Sequence, residues 1–201
     1  MHRRCYLSTG ELAKICNVTK HTILAAIEKG KIKASRTPGG HNRIHFEEAR
    51  RFMEEHGVPA SRLAGVVPAI LVVDDDTDLL HLIRKAFAHD NVIVELASSG
   101  YDAGILAARL RPQVIVLDVL LPDIDGRVIC RQIKANPVTK DTRVLAISAL
   151  QGRREVESIF EAGFDDYLAK PFSLEELRRK VMLLMRRSGE RSTASTARTA
   201  R

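Results

Sequence analysis

Hydrophobic positions along the 201-residue chain change rhythm near residue 70. Downstream of it, short continuous apolar runs alternate with stretches in which apolar residues recur every three or four positions. The runs are 70–73 (ILVV), 92–96 (VIVEL), 113–117 (QVIVL), 144–147 (VLAI) and 167–169 (YLA). The helical spacing appears at Leu79, Leu80, Ile83 and Phe87, at Ala103, Leu106, Ala107 and Leu110, and at Val128, Ile129 and Ile133. It returns at Val156, Ile159 and Phe160 and at Leu177, Val181 and Leu184. Short bounded runs read as buried strands, and the longer spacing reads as amphipathic helix. Gly163 stops the fourth helix, and Ser173 with Glu176 forms a capping box for the fifth. Strands one, three and four are apolar nearly throughout, as a parallel sheet covered on both faces requires. Five strand–helix units predict a doubly wound α/β domain over 70–187.

Upstream, residues 1–56 read helix, turn, helix, hairpin, helix. Ser8 and Glu11 form a capping box for a first short helix, and Asn17-Val18 makes a tight turn. Thr19 caps a second helix that runs to Glu28-Lys29 and stops at Gly30. Leu12, Ala13, Val18, Ile23 and Ile27 are its expected core, and two short helices with such a turn describe a helix-turn-helix. "IKASRTPGGHNRIHF" adds two strands around Pro38-Gly39-Gly40. Residues 57–69, rich in small residues, read as a linker, and 188–201 as a disordered basic tail.

Composition narrows the class. No run approaches the roughly 20 apolar residues of a membrane span, and the opening "MHRRCYLSTGELAK" has no apolar signal segment. A cytoplasmic protein with no membrane partner is expected. Cys5, Cys16 and Cys130 are sparse and unpaired in spacing, which suits reduced thiols. Charge is uneven: residues 1–67 hold 12 Lys+Arg against 6 Asp+Glu, whereas 68–187 hold 17 against 18. A basic front end joined to a near-neutral body points to a polyanion partner for the front.

In doubly wound sheets, ligands bind beyond the carboxyl ends of strands where strand order reverses. Asp74, Asp75 and Asp76 follow strand one, Asp118 follows strand three, Ser148 strand four and Lys170 strand five. With strand order 2-1-3-4-5, carboxylates from strands one and three share a pocket with a lysine and a hydroxyl. Three adjacent carboxylates repel one another, so a cation is their expected partner.

"ILVVDDD", "LDVLLPDIDG", "AISA" and "DDYLAKPF" resemble, in order and spacing, the signature stretches of the response-regulator receiver domain, whose fold is flavodoxin-like with order 2-1-3-4-5. The resemblance implies Mg²⁺ held by Asp75, Asp118 and the backbone carbonyl of Leu120, with Asp74 acting through water and Asp76 peripheral. It implies Asp118 as phosphoacceptor from a sensor histidine kinase or phosphotransfer protein. Lys170 and Ser148 would meet the phosphoryl oxygens, Tyr167 would be the switch aromatic, and Lys170–Pro171 would be cis. The last helix–strand–helix face carries Glu161, Asp165, Asp166, Glu176, Lys180 and Arg187; its mixed charge partly resembles regulators that form a homodimer through this surface, and a plain solvated face is the alternative reading. Apolar Leu120 and Leu150 beside the site imply slow loss of the phosphoryl group. Beyond self-phosphorylation and self-dephosphorylation no enzyme activity is expected, because aspartyl-phosphate hydrolases usually carry the nucleophile after the first strand.

The front end, through "RTPGGHNRI" above all, resembles the winged helix-turn-helix of the excisionase and MerR type. That resemblance implies DNA as partner, with Lys20, His21, Thr22 and Lys29 on the second helix and Arg36, His41 and Arg43 on the wing as contacts. The expected function is a DNA-binding transcriptional response regulator. The alternative is a phosphorylation-controlled adaptor whose helix-turn-helix docks a protein.

Overall fold

The computed structural model describes residues 6–63, 66, 68–88, 90, 92–149 and 152–198, with side chains from 187 onward and at 60 and 61 excluded. The chain divides into two compact units, Met1–Val67 and Pro68–Arg201.

In the first unit, β1 (Tyr6–Ser8) leads into α1 (Thr9–Cys16) and α2 (Lys20–Glu28). Then come β2 (Ala34–Arg36), β3 (Asn42–His45), α3 (Phe46–Glu55) and one 3-10 turn (Ala60–Leu63). The local chemistry agrees with the sequence. Ser8 and Glu11 make a reciprocal capping box, and Asn17 closes α1 in the left-handed region. Thr19 Oγ1 accepts from Thr22 N at 3.2 Å to open α2, and Gly30 takes φ +69° beyond its end.

Three expectations are corrected here. The hairpin is part of a three-stranded sheet of order β1-β3-β2; Tyr6–Ser8 is too short for its alternation to register as a strand. Val18 is 41% exposed and Ile27 half-buried, while Ala26, Ile32, Ile44 and Phe52 are buried with Leu12, Ala13 and Ile23. A two-helix reading cannot foresee what the sheet and α3 cover. Finally, the front half of the expected linker belongs to this unit: Leu63 is fully buried, and Arg62 Nη1 donates to Ile15 O at 3.1 Å.

The second unit alternates strand and helix: β4 (Ala69–Val73), α4 (Thr77–Ala86), β5 (Ile93–Ala97), α5 (Gly100–Leu110) and β6 (Val114–Asp118). It continues with α6 (Gly126–Ala135), β7 (Arg143–Ser148), α7 (Arg153–Glu161), β8 (Asp166–Ala169) and α8 (Leu174–Arg198). The five strands are parallel in the order β5-β4-β6-β7-β8, the expected 2-1-3-4-5. Ile70, Val72, Val114, Val116, Leu145 and Ile147 cluster with Leu80 and Ile83 of α4 and with Leu177, Val181 and Leu184 of α8. Strand alternation sends Leu71, Val73, Ile115 and Leu117 to the opposite face, and all four are fully buried. Phe160, counted among the α7 apolar positions, is 48% exposed.

The backbone of α8 continues to Arg198, where an irregular tail is expected from 188. The segment holds no proline, and Gly189 costs a helix only about 1 kcal/mol.

Candidate functional site

β4 and β6 are neighbours at the centre of the sheet, and their chains leave in opposite directions along it, which opens a crevice at their carboxyl ends. Asp74 and Asp75 follow β4, and Asp118 ends β6. One oxygen from each lies within 4.8 Å of the others. Asp74 and Asp118 are buried and Asp75 is exposed. Asp76 turns away: its Oδ1 accepts from Asp78 N and Leu79 N at 3.0 Å each, capping α4.

Lys170 follows β8 and reaches across the crevice. Its Nζ donates to Asp74 Oδ2 at 2.7 Å and to Asp118 Oδ2 at 2.5 Å. The Lys170–Pro171 bond is cis. Burial pushes the Asp74 carboxyl above its ordinary value, against the opposing pull of Lys170 and the Asp76 N–H, and nearby Asp118 adds to the rise. Burial works to lower Lys170, but its bonds to Asp118 and Asp74 hold it above its ordinary value, so it stays an ammonium. One cation against three carboxylates leaves excess negative charge among oxygen donors, a set that suits a hard divalent cation.

Ser148 ends β7 fully buried, and its carbonyl accepts from Lys170 N at 2.8 Å. Ser148 pairs with Ala169 in the β7–β8 ladder, which puts half-buried Tyr167 two residues back along β8, opposite Ala146. The expected charged face on α7, β8 and α8 is reduced. Asp165 turns inward to Lys134 Nζ at 2.6 Å and Arg143 Nη1 at 2.5 Å, because α6 and the start of β7 offer it two cations and the Val144 N–H. Asp166 is paired with Lys180 at 2.8 Å. Glu161 and Glu176 remain exposed; the Arg187 side chain and Leu150 lie outside the described residues.

In the first unit, Lys20, His21, Thr22, Lys29, Arg36, His41 and Arg43 are all exposed. Lys20, His21 and Thr22 share the first turn of α2. The wing residues divide: Arg43 lies between Ser8 and Ser35 in the sheet register, while Arg36 pairs with Asn42 one position along. Alternation therefore sends Arg36 and Arg43 to opposite faces of the sheet. A zinc site from Cys5, Cys16, His41 and His45 has no standard spacing; Cys5 lies outside the described residues, and Cys16 is buried.

The family described as response regulator receiver domain matches residues 70–182, more than half of the chain. The chain belongs to that family. A helix-turn-helix domain family matches residues 6–57 of the same chain. Response regulator MprA of Mycobacterium leprae is 40% identical over 119 residues, 59% of this chain and 51% of that protein. The chain thus matches about half the length of such curated relatives. Among solved structures, the BeF3-activated DrrB receiver domain is 35% identical, with a TM-score of 0.54 over 60% of this chain and 98% of that one. A response regulator from Chloroflexus aurantiacus is 33% identical, with a TM-score of 0.55 over 59% and 98%. No helix among the described residues is long and apolar enough to cross a membrane.

Sequence reasoning missed how the loop from Val119 to Asp125 is held in this receiver. Leu120 N donates back to Asp118 Oδ1 at 2.9 Å, and Gly126 N donates to Val119 O at 2.9 Å. A Cβ on Gly126 would stand 2.4 Å from Asp118 O, so only glycine fits. Asp125 caps α6 and is paired with Arg127 at 2.6 Å. Asp123 accepts from Gly100 N at 2.8 Å and Tyr101 N at 3.3 Å; these backbone donors, Gly100 first, hold its carboxyl below the ordinary value. The available signal was "PDIDG", where two acids and a glycine follow a strand too closely to be a plain turn.

Proposed function

We propose that the chain is a two-component transcriptional response regulator, phosphorylated on Asp118 by a sensor histidine kinase or phosphotransfer protein, which controls DNA binding by its helix-turn-helix unit. The observation that carries this reading is the convergence of Asp74, Asp75 and Asp118 within 4.8 Å, with Lys170 bonded to both buried acids. Asp75, Asp118 and the Leu120 carbonyl would hold Mg²⁺, with Asp74 acting through water, and the ion when bound would supply charge neutralisation on the phosphoryl oxygens. Asp118 forms the new P–O bond as the P–N bond to the donor histidine breaks. Its carboxylate is oriented by the Leu120 N–H and Lys170. The Lys170 ammonium exchanges a carboxylate partner for a phosphoryl oxygen, and the Ser148 hydroxyl donates to another. The movement of Ser148 opens space that Tyr167 fills, which changes the outer face of α7, β8 and α8. A homodimer through that face would draw on exposed Glu161 and Glu176 and on exposed Leu183 and Phe160.

DNA is the partner favoured for the first unit. Exposed Lys20, His21 and Thr22 open α2 for the major groove, with Lys29 at its far end. Arg36, His41 and Arg43 offer phosphate contacts from the wing. A solved receiver domain of a protein described as a DNA binding response regulator, from Colwellia psychrerythraea, is 25% identical with a TM-score of 0.56. Genome-wide binding of wild type beside Asp118→Ala, with mobility shifts of recovered fragments at rising salt, tests the reading. Discrete sites, steep salt weakening and an altered Asp118→Ala profile are expected. Absence of DNA binding at low salt would favour the protein-docking adaptor instead.

A further inference from the structure

The two arms of the acidic site are separate in sequence: Asp74 and Asp75 follow β4, while Asp118 ends β6 and Leu120 follows it. The β5–α5 connection touches both. Asp74 N donates to Ala97 O at 3.2 Å on one side. Three residues on, Gly100 N donates to both oxygens of Asp123, at 2.8 and 3.2 Å, and Tyr101 N adds a third bond at 3.3 Å. Packing closes the same junction. A Cβ on Gly100 would stand 2.0 Å from Ile124 Cγ2 and 2.8 Å from Ile129 Cδ1, so Ile124 sits directly over the start of α5. This start already has its own cap, since Ser99 Oγ accepts from Asp102 N at 3.2 Å. Ser99 serves only the Asp102 N–H, and the Asp123 carboxylate is a second acceptor, brought from another loop to the Gly100 and Tyr101 N–H groups that the cap leaves open.

We infer that Asp123 is a positioning residue: it ties the loop carrying Asp118 and Leu120, through the start of α5, to the strand end carrying Asp74 and Asp75, and so sets the spacing of the metal-binding oxygens. This rests on the proposed Mg²⁺ site. With the tie in place, the loop can neither lift from α5 nor swing the Leu120 carbonyl away from the acids. With the tie cut, Asp118 keeps Lys170 and the Leu120 N–H, but the loop around it gains freedom that cation binding must then remove. Partners that orient metal ligands typically contribute 10–100-fold in affinity.

The experiment is Mg²⁺ titration by isothermal calorimetry on the full chain, for wild type, Asp123→Ala, Asp123→Asn and Ser99→Ala. Hydrogen exchange of the 119–126 segment is followed in parallel. Asp123→Ala is expected to weaken Mg²⁺ about 10-fold and to speed exchange in 119–126. Asp123→Asn, whose amide oxygen still accepts from Gly100 and Tyr101, should stay within about 3-fold of wild type. Ser99→Ala frays the same helix end without touching the loop, and should leave Mg²⁺ affinity unchanged. Wild-type affinity in Asp123→Ala, or an equal loss in Ser99→Ala, overturns the inference while leaving the proposed function standing. A wild type that binds no Mg²⁺ overturns both.

Discussion

Lys170→Met isolates the electrostatic core of the site. The change keeps most of the side-chain volume and removes the only cation bonded to Asp74 and Asp118 among the described contacts. The Asp74 side chain is fully buried and that of Asp118 is 6% exposed. Asp74 and Asp118 bring carboxylate oxygens within 4.8 Å of each other; at an effective dielectric near 20, unit charges at that limit repel by about 3.5 kcal/mol, and by more if closer. Breaking a buried pair by deleting one partner costs about 3–5 kcal/mol. Lys170 is itself 26% exposed, so solvent screens part of this, and about 2–3 kcal/mol of receiver stability should be lost at pH 8 without divalent cations. The pH dependence has a definite sign. Burial already raises the Asp74 carboxyl, and loss of Lys170 raises it further. A raised carboxyl takes up its proton as pH falls through that value, so the penalty is full above it and fades toward the ordinary carboxylate range near 4. Urea titration of the full chain, read by hydrogen exchange on peptides covering β4 and β6, measures this unit alone. A loss under about 1 kcal/mol at pH 8, or an equal loss persisting down to about pH 4, would refute the reasoning.

Other residues give sharper local tests. Asp76→Ala should cost about 1 kcal/mol as a lost helix cap and change Mg²⁺ affinity by less than about 3-fold in calorimetry; a large affinity loss would make Asp76 a ligand. Gly126→Ala, with its Cβ against Asp118 O, should cost about 2–3 kcal/mol by the same exchange measurement and slow phosphorylation of Asp118. Asp165→Asn should cost about 3 kcal/mol, since it strips Lys134 and Arg143 of a shared, largely buried carboxylate. Burial works to raise the Asp165 carboxyl, but Lys134, the Val144 N–H and Arg143 hold it below its ordinary value. Its contribution is therefore full above about pH 4 and lost as pH falls through the lowered value, so the wild-type and Asp165→Asn stability curves should converge only in acid.

The receiver unit was legible because its signals are local and redundant. Apolar runs such as "ILVV" read as buried strands, caps such as Ser173 marked helix starts, and Asp74, Asp75, Asp118 and Lys170 each sit at a strand end. Strand order turned that list into a cluster. What stayed hidden depends on contacts far apart in sequence. Asp165 reads as one more surface acid until β7 and α6 bring Arg143 and Lys134 to it. Asp123 reads as a turn residue until Gly100 lies beneath its loop. In the front unit, Tyr6–Ser8 becomes a strand only because Asn42–His45 pairs with it, and Val18 sits exposed because α3 and the sheet fill the core that two helices alone would have needed it for.

Incubation of the full chain with acetyl phosphate and Mg²⁺, followed by intact-mass and peptide analysis, tests the central claim most directly. One phosphoryl group on the peptide containing Asp118, labile to hydroxylamine, dependent on Mg²⁺ and absent from Asp118→Ala, is the predicted result. An unmodified protein, or the same mass gain in Asp118→Ala, would contradict it.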